Sequence, residues 1–272
     1  MVLKFNQFIP DRKNLRKKQR VVKPVKPALT DIINYRKQLD AVLENAYQQV
    51  KNKIYPLLVD LEPQYVTDTP REDAIAELET IQLASQQQTD GIAKSVAIKT
   101  VNKVADTNKQ RMQAIFNQAF GINFPQLIND TGLQHVLNDK IDQNIALIKT
   151  IPQEYLQRVK KSISAGIVNG NKAVDITKQL SNDYGISQRR ARFIARDQVS
   201  KINAAVSQLR QKNLGVDKYQ WTTAGDDRVR EAHAEVDGNI YSYDEPPEET
   251  DFNNPGEDYG CRCVAAPVLE FD

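Results

Sequence analysis

The sequence predicts a mostly α protein with a small α+β domain at its C-terminus: long helices followed by a short antiparallel sheet. Three observations carry that prediction. Gly is scarce, at 11 of 272 residues, while Ala, Gln, Lys, Leu and Ile abound, a composition that favours helices over sheets. Up to Gly215, apolar residues recur at helical spacing. Beyond it the pattern turns into short runs (VDKYQWTT, NIYSY, CRCVAAPVLEF) carrying aromatic and β-branched residues.

Residues 1–29 end in VVKPVKPAL, where Pro24 and Pro27 forbid a continuous helix, so an extended basic arm is expected. Thr30-Asp31 offers an N-cap. Ile32, Ile33, Leu39, Val42, Leu43, Ala46 and Val50 then mark a helix that Pro56 should kink or end. EPQYVTDTPRED, 62–73, reads as a linker. From Asp73 to Phe120 there is no proline and one glycine, Gly91, which predicts one or two long helices with a break at ASQQQTDG. GINFP, 121–125, is a turn. Residues 126–161 give two helical segments separated near 150–152. A short helix over 169–185 should stop at Gly185, and Ser187 should cap another that closes at Leu214-Gly215. Strands are expected near 218–223, 239–243 and 261–268, with a short helix or turn at DDRVREAHAEVDG and a long acidic loop at DEPPEETDFNNPGEDYG. The division is 1–29 arm, 30–150 helical region and 151–272 C-terminal domain.

Net charge is +2, but its distribution is uneven. Between Lys4 and Lys26 there are nine Lys or Arg and one acid, Asp11; from Asp244 to Asp258 there are seven acids and no base. Arg12, Lys13, Arg16, Lys17, Lys18 and Arg20 are therefore candidates for contact with nucleic acid or an acidic protein surface. The alternative is a solvated terminus. No stretch approaches the ~18 apolar residues of a membrane span, and MVLKFNQFIPDRKN lacks the pattern of a signal peptide. Two cysteines without framework spacing argue against a secreted disulfide scaffold, so an origin in the cytosol is expected.

ARFIARDQVSKINAA, 191–205, pairs Asp197 with Lys201 at i,i+4; on spacing alone it is an amphipathic helix with a charged face. WTTAGDDRVREAHAEVDG gathers Asp226, Asp227, Asp237 and His233. Such carboxylates serve metal binding or acid–base chemistry, or equally cap turns. Nothing there resembles a nucleophile with its base, and no glycine-rich phosphate loop is present. GCRC holds both cysteines of the chain. A disulfide between i and i+2 fits poorly. On a strand, Cys261 and Cys263 share one face and Arg262 takes the other. With His233 they make three ligands that zinc accepts, and Asp258 offers a fourth. The competing reading is two small buried residues packed under Trp221.

The order YQWTTAGDDRVR, then His233, then Asp237-Gly238, then an acidic loop with PGEDYGCRC resembles the Mu-F-like minor head proteins of tailed bacteriophages, also called phage head morphogenesis proteins. RARFIARDQ is similar to the helix leading into that domain. The resemblance covers about 155–268. It implies a structural protein of the virion, in the capsid interior or at the portal vertex, made in the host cytoplasm. Its partners would be the portal or the major capsid protein, with packaged DNA touching the arm. It implies no catalytic residue, no small-molecule substrate and no membrane. Some members append toxin enzymes; none is expected here, since the sequence runs to Asp272. Some members also carry C-x-x-C where this chain has Arg230 and His233, and a histidine at Asp258. The resemblance thus implies a zinc site of which His233, Cys261 and Cys263 remain as candidates. Trp221 should fill the core, and Asp226, Asp227, Arg228, Asp237, Gly238 and Arg262 form the structural motif around the sheet.

Overall fold

The computed structural model describes residues 19–62, 65, 69–121 and 130–270. Its elements are β1 (Gln19–Val21), α1 (Leu29–Gln49), a π-helical turn (Val50–Ile54), α2 (Tyr55–Leu61), α3 (Thr69–Phe120), α4 (Leu133–Val168), α5 (Ala173–Asn213), β2 (Lys218–Thr222), α6 (Glu231–Glu235), β3 (Ile240–Ser242), a short 3-10 turn (Glu248–Thr250) and β4 (Val264–Glu270). The architecture is the predicted one: long helices, then a small antiparallel sheet.

Of four breaks the sequence offered, those at ASQQQTDG, Pro152 and Gly185 do not occur, and the one assigned to Pro56 falls earlier, at the π turn, each for a local reason. α1 does not stop at Pro56; the backbone widens into the π turn first, and Pro56 then falls in the first turn of α2, where a missing N–H costs little. α3 runs unbroken through ASQQQTDG, with Thr89 Oγ1 donating to the Ser85 carbonyl at 2.7 Å and both side chains buried. α4 continues through Pro152, which sits between the buried Ile151 and Tyr155. α5 runs through Gly185, and Ser187 is no cap: its hydroxyl donates back to the Asp183 carbonyl at 3.0 Å inside the helix. Apolar burial along these helices outweighs the roughly 1 kcal/mol that an interior glycine costs.

The sheet order is β1-β4-β2-β3, antiparallel throughout. The three expected strands are present, and the arm adds a fourth, with Arg20 opposite Leu269. The solvated-terminus alternative therefore fails for residues 19–28. Val22 and Val25 are buried with Met112, Phe116, Leu214, Val216 and Leu269 in one cluster. With two prolines lacking donors, side chains meet the remaining backbone groups: Asn203 donates to the Val25 carbonyl at 2.8 Å and Arg111 to the Lys26 carbonyl at 2.7 Å.

The chain forms two compact units. One comprises the described residues of Met1–Ile32, Thr100–Lys140 and Arg196–Asp272; the other comprises Ile33–Lys99 and Ile141–Ala195. Both units are discontinuous in sequence, unlike the sequential division 1–29, 30–150 and 151–272. The second unit is all helical, with Tyr35, Leu39, Leu43, Ile54, Leu58 and Tyr155 fully buried. The first contains the sheet and the candidate site. Among the described residues no helix is long and apolar enough to cross a membrane.

Candidate metal centre

β2 alternates in and out, burying Tyr219 and Trp221 while Lys218 faces solvent. After Thr222 the chain leaves the sheet and returns through α6 to Asn239. The excursion is closed at its base: Trp221 N donates to the Asn239 carbonyl and Gly238 N to the Trp221 carbonyl, both at 2.9 Å. Asp237 closes it a second time, accepting from Thr223 N at 2.8 Å and Thr223 Oγ1 at 2.9 Å. This geometry directs His233 of α6 inward, edge-on to Trp221 with ring centres 5.3 Å apart.

Residues 261–263 precede β4, which begins at Val264 rather than at Cys261 as expected, yet their burial alternates: both cysteines are buried and Arg262 is partly exposed. Cys261 and Cys263 are buried as free thiols. Arg262 lies on the opposite face, where it grips Asp226 with two hydrogen bonds of 2.6 and 2.5 Å. Arg228 donates to the same carboxylate at 3.0 Å, while Asp227 is exposed. The Arg262 guanidinium holds the Asp226 carboxyl well below the ordinary range. Two glycines shape the approach. Gly260 adopts φ 68 and donates its N–H to Asp197 at 2.7 Å; a Cβ on Gly256, at φ 91, would meet the Ala204 methyl at 2.8 Å.

His233 Nδ1 lies 3.4 Å from Cys263 Sγ and 3.7 Å from Cys261 Sγ, and the three donor atoms fall within 4.8 Å of one another. All three side chains are buried. Cys261 is pulled down to about 6 by a hydrogen bond from the Cys263 thiol, aided by backbone N–H groups; Cys263, the donor, is pushed up by that bond and by burial. Burial, then the neighbouring Arg230 charge, pushes His233 down, which favours the neutral imidazole. A zinc ion takes a histidine neutral and both cysteines as thiolates, so binding here would release the remaining thiol proton.

The donor set fits zinc. Two sulfurs and one nitrogen bound at about 2.3 and 2.0 Å in tetrahedral geometry stand roughly 3.5–3.8 Å apart, close to the nitrogen–sulfur separations here. His233, Cys261 and Cys263 would hold the ion, one donor short of a closed structural site. A zinc ion bound there would act as a staple between α6 and the chain entering β4. Asp258 does not join the set. Its Oδ2 lies 3.6 Å from Nε2, the far nitrogen of the ring, and is paired with Arg230. The two positions where the resemblance implies further ligands, Arg230 and Asp258, are thus occupied by an ion pair.

Of the arm residues singled out for charge, Arg12, Lys13, Arg16, Lys17 and Lys18 lie outside the described residues. Arg20 donates to the Ala119 carbonyl at 3.0 Å and lies 4.9 Å from the Phe120 ring centre. Asp197 carries more than its spacing suggested: it is buried, and it anchors the GCRC turn through Gly260. Its only sequence signal is its place in RARFIARDQ. Arg210, fully buried, gave no signal; it binds Asp130 Oδ1, the Ala105 carbonyl and Asn108 Oδ1 at 2.8–2.9 Å.

Comparison with known proteins matches residues 157–266 to the family described as Phage Mu protein F like protein. The resemblance read from the sequence is borne out over that segment. An uncharacterized protein of Haemophilus influenzae is 32% identical over 265 residues, covering 95% of this chain and 58% of that protein. The NAD(+)–arginine ADP-ribosyltransferase EFV of Enterococcus faecalis is 22% identical over 274 residues, covering 89% and 56% respectively. The chain thus spans little more than half the length of these relatives. No solved structure matches it.

Proposed function

We propose that this chain, which carries a Mu-F-like head morphogenesis domain, is a structural minor head protein of a tailed bacteriophage. It sits in the capsid interior or at the portal vertex, against the portal or the major capsid protein, and acts in head assembly and in packaging or ejection of DNA. The basic arm reaches packaged DNA or a neighbouring subunit. Zinc on His233, Cys261 and Cys263 serves the fold rather than a reaction.

The observation that supports a structural over a catalytic role is how the polar residues of the motif are engaged. Asp226 is held by Arg262 and Arg228, Asp237 by Thr223, and Asp258 by Arg230. Each ties one loop of the domain to another. A hydrolase built on Asp226, Asp227, His233 and Asp237 would find Asp226 and Asp237 already engaged in these bonds, with the exposed Asp227 left to reach substrate or metal. The Enterococcus relative is named for a transferase activity, but at 22% identity and 56% of its length the likeness transfers no catalytic residue.

The test is the protein inventory of purified virions and of procapsids, measured by mass spectrometry, together with particle yield from a phage carrying a nonsense mutation in this gene. Presence at defined copy number, with aberrant or empty heads in the mutant, is expected. Absence from both particles, or normal heads without the protein, contradicts the reading.

A further inference from the structure

The imidazole of His233 is approached from both sides. Nδ1 faces the two sulfurs at 3.4 and 3.7 Å; Nε2 faces Asp258 Oδ2 at 3.6 Å, just beyond hydrogen-bond reach. Asp258 is itself held on all sides. Its Oδ1 accepts from Tyr259 N at 2.6 Å, its Oδ2 is paired with Arg230, and its carbonyl accepts from Cys261 N at 3.2 Å. Arg230 is fixed in turn by a second bond, to the Tyr259 carbonyl at 2.5 Å. The carboxylate would have to abandon Tyr259 N and Arg230, and pass to the other side of the ring, before it could touch a metal between the sulfurs.

A neutral imidazole carries one proton, and the group that accepts it decides which nitrogen keeps a lone pair. An ionised carboxylate is acceptor only. Facing Nε2, it competes for that proton with the Cys261 sulfur at Nδ1, and by drawing the proton it leaves Nδ1 as the lone-pair nitrogen, able to accept from the Cys263 thiol. We propose that Asp258, clamped by Arg230, is a positioning residue that fixes the tautomer and orientation of His233 and so presents Nδ1 to the two cysteine sulfurs. Arg230 and Asp258, a solvent-facing ion pair, are thereby not ligands but the outer support of the site. The effect on metal affinity rests on the zinc reading above, whereas the tautomer does not.

The experiment separates the two. Full-length protein with 15N-labelled histidine, freed of metal by chelation, is examined by long-range 1H–15N correlation. His135, whose side chain is 84% exposed, provides the internal reference. Wild type is expected to show His233 as the Nε2–H tautomer. Asp258→Ala should give a mixture of both tautomers, Asp258→Asn should retain Nε2–H because its amide oxygen still accepts, and Arg230→Ala should fall between. Zinc titration against a competing chelator should then show affinity about 10–100-fold weaker for Asp258→Ala and near wild type for Asp258→Asn. An Nδ1–H tautomer in wild type overturns the proposal. So does a tautomer and zinc affinity unchanged in Asp258→Ala. If Asp258→Ala fails to fold, the Asp258→Asn and Arg230→Ala spectra decide by the same criterion. If wild type binds no zinc but the tautomer follows residue 258, the zinc reading falls and the positioning role stands.

Discussion

In the helical unit the deepest side chains are Tyr35, Leu39, Leu43, Ile54, Leu58 and Tyr155. Its ion pairs Lys53–Glu77, Lys149–Asp90 and Lys160–Glu79 stay at the surface, and it buries fewer polar groups than the other unit, among them Asn144, which accepts from the Tyr35 hydroxyl at 2.7 Å, and Asp183, which accepts from Ser162 at 2.6 Å. In the sheet-bearing unit the buried set includes Arg210, Asn108, Asn203, His233 and both cysteines, and the polar groups bond to one another. Long amphipathic helices can bury enough apolar area to fold on packing alone. A sheet of short strands with a 17-residue excursion between β2 and β3 offers much less, and directional bonds between distant segments supply the rest. The first design tolerates local faults such as Pro152 and Gly185; the second depends on particular atoms.

That contrast can be broken most forcefully at Arg210. Arg210→Ala leaves the Ala105 carbonyl and Asn108 Oδ1 without this donor and Asp130 with Lys109 alone, and should lower stability in urea by about 3–5 kcal/mol. A loss below about 1 kcal/mol would mean that the network is incidental. In the helical unit, Leu43→Ala should cost a comparable or smaller amount, about 2–5 kcal/mol, through lost burial and the cavity left behind. Equal sensitivity to Lys160→Ala would undo the distinction; that surface pair should contribute less than about 1 kcal/mol, and less still in high salt.

Between these lies the Asp226–Arg262 link. The folded-state pKa of Asp226 is depressed, so the native state binds fewer protons there than the unfolded state. Its contribution is present above the unfolded value of about 4 and is lost as pH falls below it. The stability difference between wild type and Asp226→Asn should therefore be largest near neutral pH and shrink on acidification. A difference that grows as pH falls would contradict the assigned ion pair.

The alternation in GCRC was legible because a strand has period 2, and the residue order from Trp221 to Cys263 was specific enough to point to the family. The helices were legible in kind but not in length. Proline and glycine report local preference, and only the buried neighbours of Pro152 and Gly185 decide whether the helix continues. Asp197 and Arg210 were not legible as structural centres, because their partners lie 63 and 80 residues away. For Asp258 the residue type suggested a ligand, but the face of the imidazole it meets is set by the 258–261 turn.

The central claim, that the sheet-bearing unit is held by a directional centre and the helical unit by apolar packing, is tested most directly by hydrogen exchange on zinc-loaded and chelator-treated protein. The account predicts that amides of β2 and β4 lose protection when zinc is removed, while those of α1 and α2 do not change. Uniform loss across both regions, or no change in β2 and β4 despite complete removal of bound metal, would contradict it.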